Sequence, residues 1–158
     1  MTSTDSLLGY YERNACSPQW LEFNRGLAFE LSAGLPPEEI RALFKRVGSH
    51  MANAMPVPRC DSLPELQAVF NERWESIAWG FSSLREEDDF LEITHACSPL
   101  AMAFGPASSA WAFGFFEGAY QAWFASQGVP SVLRVSADEP AAAAATPQIV
   151  LRLSRIHP

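Results

Sequence analysis

His95 and Cys97 stand two positions apart and are the first candidates for chemistry in this chain. On an extended strand, residues i and i+2 point the same way, so an imidazole and a thiol would face one ligand. Both are zinc donors, but a zinc site uses three or four such groups and only two stand here. No metal site is therefore expected. Cys97 is followed by Ser98-Pro99 and has no base nearby to activate its thiol, so it reads as a small buried residue rather than a nucleophile. His50 follows an apolar helical stripe and reads as half-buried or surface.

Paired carboxylates can share acid and base work when their surroundings drive their pKa values apart. Glu38-Glu39 and the REEDD run at 85–89 have charged, exposed-looking neighbours that would not do so. The chain has no phosphate-cradling glycine loop, no G-x-S-x-G and no H-E-x-x-H. No catalytic residue, cofactor or metal is expected, and the chain reads as a non-enzyme.

The stretch at 111–123, WAFGFFEGAYQAW, crowds six aromatic residues and two glycines around one carboxylate. A membrane span needs about 20 mostly apolar residues. Pro99, Gly105 and Pro106 interrupt the apolar region, and Glu117 and Gln121 lie one helical turn apart, so no span is expected. Gly114 and Gly118, four apart, share a helix face that lets another backbone come close. Tyr120 and Trp123 form part of a second apolar edge. The helix belongs in a core, or between a core and a subunit interface, with Gly114, Gly118, Tyr120 and Trp123 as candidate oligomer-interface residues. Sugar stacking on its aromatic rings is the sharper alternative, but an aromatic stripe at helical spacing is more often core.

Other elements must hold this helix. Trp20, Phe23, Leu27 and Leu31 mark a helix from Pro18 to Gly34. Ile40, Leu43, Phe44, Val47, Met51 and Met55 mark a second behind Pro36-Pro37-Glu38-Glu39, ended by Pro56 and Pro58. Ser62-Leu63-Pro64-Glu65 is a capping box, and the helix behind it carries Leu66, Phe70, Trp74, Ile77, Phe81 and Leu84. Short strands are expected at 90–94, 131–136 and 148–154, the last two pairing antiparallel across an alanine-rich loop at 138–147. Residues 1–17 show no clear period and read as a flexible arm, leaving 18–158 as one domain. The fold class is α+β: N-terminal helices, then a small antiparallel sheet packed with a long aromatic-rich helix.

In 158 residues, 48% are apolar and 18% charged, enough to bury a core. A net charge of −7 argues against a nucleic acid or anionic-lipid partner. The N-terminus shows no signal-peptide pattern, and the three cysteines, far apart and odd in number, suit a reducing compartment.

The element R-x-V-G-x-x-M-A (Arg46, Val47, Gly48, Met51, Ala52), the S-L-P-E-L helix start and the pattern E-G-x-Y-x-x-W (Glu117, Gly118, Tyr120, Trp123) follow one another in an order that resembles the D-subunit family of bacterial cellulose synthase. The likeness runs over roughly 18–154. It implies a non-catalytic accessory or scaffold protein that organises synthase complexes or nascent glucan chains for cellulose biosynthesis and crystallisation. It also implies self-assembly, with dimers building a ring-like octamer, and partners among cellulose synthase components. The family's N-terminal arm is associated with glucan passages, which makes Tyr10 and Tyr11 candidate glucan contacts. The expected location is the cytoplasm near the inner membrane. Against the polymerising glucosyltransferases, the chain has Arg73-Trp74 but Phe70 in place of glutamine, and no D-x-D. The order of elements also resembles small-molecule-binding domains related to vinyl reductases and vesicle-tethering proteins, whose mark would be an apolar pocket beside the 111–123 helix.

Overall fold

The structure, a computed structural model, describes residues 3–138 and 148–156. Residues 139–147 of the alanine-rich loop, and His157, fall outside the described residues.

Helix α1 covers Ser3–Arg13, where the sequence shows no clear period; Asp5 in its first turn and Arg13 in its last both suit the helix dipole. Helix α2 follows at Pro18–Gly34 and α3 at Pro37–Ala54, each with proline in its first turn. In α3 the buried row is Ile40, Phe44, Gly48 and Ala52. Val47, on the expected stripe, is instead exposed. The row is turned because another helix backbone lies against Gly48.

Helix α4 is Leu63–Ser76. The Glu65 amide donates to Ser62 Oγ at 3.3 Å, and the Glu65 carboxylate accepts from the Asp61 amide at 2.9 Å. The capping box thus forms, its return arm landing one residue early. The helix does not run on through Phe81 and Leu84. Ala78 (φ 57°) and Gly80 (φ 86°) reverse the chain. A Cβ on Gly80 would sit 1.9 Å from the Ala96 carbonyl oxygen, so only glycine fits that turn.

Strand β1 (Phe81–Glu86) forms a hairpin with β2 (Leu91–Ala96). The chain then runs through α5 (Leu100–Phe104), a single 3-10 turn (Pro106–Ser108), α6 (Ser109–Ala112) and α7 (Gly114–Ser126). It ends in β3 (Leu133–Ala137) and β4 (Gln148–Arg155). The sheet order is β1-β2-β4-β3, all antiparallel. The α+β class therefore holds, with β1 as the strand that helical periodicity concealed.

Ile149, Leu151 and Leu153 alternate inward along β4, as a strand with one covered face requires. The core between sheet and helices is built from Phe70, Trp74, Phe116, Tyr120 and Trp123, each at most 1% exposed.

Both sheet edges are closed by amide side chains. On α4, Asn71 exchanges hydrogen bonds with the Ser82 backbone (2.7 and 2.9 Å), and Gln67 accepts from the Leu84 amide at 2.7 Å. On α7, Gln121 accepts from the Val135 amide at 2.8 Å and donates to the Leu133 carbonyl at 3.2 Å. These bonds satisfy main-chain groups that an open edge leaves available to other chains.

Candidate functional site

Three glycines let α3 and α7 meet backbone to backbone. A Cβ on Gly48 would lie 1.9 Å from the Phe115 carbonyl oxygen, one on Gly118 1.9 Å from that of Lys45, and one on Gly114 2.4 Å from that of Arg41. The shared glycine face thus meets α3 of the same chain. Tyr120 and Trp123 are 0% and 1% exposed within that chain. Trp123 Nε1 donates to the carbonyls of Ala52 and Met55 at 3.2 and 3.0 Å. All four candidate interface residues are therefore enclosed by α3 and its neighbours.

His95 and Tyr120 form the centre of a buried polar chain. His95 Nε2 lies 2.8 Å from the Trp79 carbonyl, which can only accept, so Nε2 carries the proton. Nδ1 is then an acceptor and takes the Tyr120 hydroxyl proton at 2.8 Å. The hydroxyl oxygen accepts from Trp74 Nε1 at 3.0 Å. Four groups from α4, the α4–β1 turn, β2 and α7 are thus locked in one direction. Burial lowers the His95 pKa to about 4 and raises that of Tyr120. Both are neutral at pH 7, and the pair serves as a structural clamp. Cys97 does not share the direction of His95. Its φ of 61° turns it out of the strand, and it is exposed rather than buried. No cluster of three or more metal-ligating side chains occurs among the described residues.

Glu117 is the buried charge, at 2% exposure. Arg41 Nε lies 2.5 Å from one carboxylate oxygen and Lys45 Nζ 2.9 Å from the other. Arg41 and Lys45 are one turn apart on α3, so a single carboxylate on α7 joins two cations across the glycine contact. In the sequence Glu117 stands out as a polar obstacle to a membrane span and as part of the E-G-x-Y-x-x-W pattern, and neither shows its ion pairs. The signal that could have found its role is the match between Arg41, Lys45, Gly48 on one helix and Gly114, Glu117, Gly118 on the other.

Around α7, Trp111, Phe115, Phe116 and Trp123 are at most 4% exposed. Their rings lie against Phe44, Phe70, Trp74 and Trp79 at 4.6–5.4 Å between centroids. The aromatic residues of the 111–123 stretch are mainly core.

The exposed aromatic residues lie elsewhere. On α2, Trp20, Phe23 and Leu27 are 54%, 61% and 41% exposed, and Trp20 meets Phe23 edge-on at 5.7 Å. On α1, Tyr10 and Tyr11 are 59% and 70% exposed and edge-on at 6.0 Å. Tyr11 lines a groove of about 460 Å³ together with Leu8, Glu12, Glu75, Phe81 and Cys97. No described helix is long and apolar enough to cross a membrane.

The family model for the D subunit of cellulose synthase matches residues 6–152. Two proteins of Komagataeibacter xylinus named cellulose synthase operon protein D are similar to this chain, at 29% and 30% identity over 112 residues. Each alignment covers 70% of this chain and 72% of the relative. A protein of the same name from Komagataeibacter sucrofermentans is 28% identical over the same length.

Proposed function

This chain belongs to the family of cellulose synthase D subunits, and from that membership we propose that it takes part in cellulose synthesis as a non-catalytic scaffold that assembles with itself. The observation that carries this reading is the α2 face. Trp20, Phe23 and Leu27 lie on one stripe and stay exposed although the core behind them is closed. A contiguous apolar helix face is a protein-contact surface by default. Meeting its own copy, it would form a two-fold interface, and further contacts would extend it toward a ring such as an octamer. Copies at fixed spacing would then hold synthase components, or the chains they release, in register, with weak single contacts adding through multivalency. The three free cysteines support a reducing compartment, the cytoplasmic side near the inner membrane.

Light scattering coupled to size exclusion tests this reading. The intact chain should run as an oligomer at micromolar concentration. Trp20→Glu with Phe23→Glu should remove the α2 contact and lower the mass, with an unchanged circular dichroism melt. A wild-type monomer would overturn the scaffold. A pull-down against synthase components tests the partner.

Direct glucan contact is a second reading, favoured by Tyr10 and Tyr11 beside the groove under α1. Sugar rings stack on exposed aromatic faces, and Glu12 and Glu75 would accept from their hydroxyls. Titration with cello-oligosaccharides should change tyrosine and tryptophan fluorescence, and Tyr10→Ala with Tyr11→Ala should abolish the change without altering the oligomer.

A further inference from the structure

We propose that copies of this chain join head to tail through charge, the acidic β1–β2 turn of one copy docking in a basic cleft of the next. The inference rests on the self-assembly reading above and adds a second, different contact to it.

The cleft, about 400 Å³, lies where α3, α7 and β3 meet. Lys45, Ser49, Glu117, Gln121, Arg134 and Ser136 line it. Arg41 flanks it through its bond to Glu117. Three cations thus stand against one carboxylate, in a chain where acidic residues outnumber basic ones 18 to 11. Glu117 is already held by Arg41 and Lys45. Arg134 is exposed and has no acidic partner among the described residues.

The complementary patch is the hairpin turn after β1. Arg85 is engaged by Glu87 and Glu92 at 2.8 and 2.9 Å. Glu86, Asp88 and Asp89 are exposed and carry no ion pair among the described residues. Three carboxylates spaced along a hairpin match donors spread over three elements. A single compact phosphate would instead meet the resident Glu117 carboxylate.

The two patches lie on strands at opposite edges of the sheet, β1 and β3. One chain therefore does not join them to each other, and two chains can. A contact between different patches repeats from copy to copy and produces a closed ring or a filament. Such a contact is screened by salt, whereas an apolar α2 contact is not.

The test measures the mass of the intact protein by light scattering at about 0.1 M and about 1 M salt, where the Debye length falls from ~10 Å to ~3 Å. The wild type should form a large assembly at low salt and a smaller unit at high salt. Arg134→Glu should stop at the smaller unit at low salt, with self-association weakened at least about tenfold. Asp88→Arg with Asp89→Arg should do the same. All three substitutions together should recover the large assembly. These positions are exposed, and a circular dichroism melt confirms that each variant folds. A large assembly indifferent to these reversals overturns the head-to-tail contact and leaves the scaffold standing. Reversals that the combination fails to rescue overturn the pairing. A monomeric wild type overturns both readings.

Discussion

The Nδ1 of His95 lies 2.8 Å from the Tyr120 hydroxyl, and both side chains are wholly buried. The imidazole must stay neutral to accept that proton, so acid competes with the fold. His95 titrates near 6.5 when unfolded and at about 4 when folded. Between these values the unfolded chain binds more protons, so stability present above pH 6.5 is lost as pH falls toward 4. The slope reaches about 1.4 kcal/mol per pH unit, roughly 3 kcal/mol in all. Urea denaturation of His95→Gln should show lower stability at neutral pH and a flatter profile than the wild type across this window. Parallel profiles would refute the role given to His95.

The α3–α7 contact leaves no room for a methyl group. Gly48→Ala and Gly118→Ala each set a Cβ against a carbonyl oxygen of the facing helix. Each should cost about 3 kcal/mol or more, a drop of roughly 10 °C in melting temperature. Gly26→Ala in α2 meets nothing within 4 Å and should hold or raise stability by about 0.5–1 kcal/mol. Equal melts for the three variants would contradict the close approach.

Removing an edge amide should open the sheet. Asn71→Ala deletes the groups that bond the Ser82 main chain and hydroxyl. It should cost about 1–3 kcal/mol and raise amide exchange at Ser82. Gln121→Ala should do the same at Val135. Faster aggregation should accompany both, since an unpaired edge recruits other strands. Unchanged exchange at these two amides would show that the strands do not need the caps.

Glu117→Gln removes the charge between Arg41 and Lys45 and leaves two like charges one turn apart. Breaking a fully buried pair costs about 3–5 kcal/mol. Here Arg41 and Lys45 are 33% and 47% exposed and regain water, so about 1–3 kcal/mol is expected. The difference from wild type should shrink in about 1 M salt, because screening eases the remaining repulsion. A thermal melt at low and high salt reads both effects.

Much of the architecture is legible because its signals are local. The prolines opening α2 and α3, the Ser62 and Glu65 cap, and the alternation of β4 each depend on neighbours within a few residues. The α4–β1 junction is not legible in the same way. Ile77, Phe81 and Leu84 continue a helical spacing, and only the turn at Ala78 and Gly80 moves the last two onto a strand. In α2 the spacing of Trp20, Phe23, Leu27 and Leu31 does mark a helix, but its most apolar edge faces outward.

The chain alone determined the helices α2, α3 and α7 and the start of α4, and that Gly114 and Gly118 invite a close approach. Those follow from periodicity, proline and capping signals, and missing side chains. Only the tertiary structure decided that α3 is the approaching helix, that Arg41 and Lys45 pair with Glu117, and that His95 is a buried hydrogen-bond acceptor. These partners lie 25 to 76 residues apart. Such pairings are selected by the packing of the whole core, which no local pattern encodes.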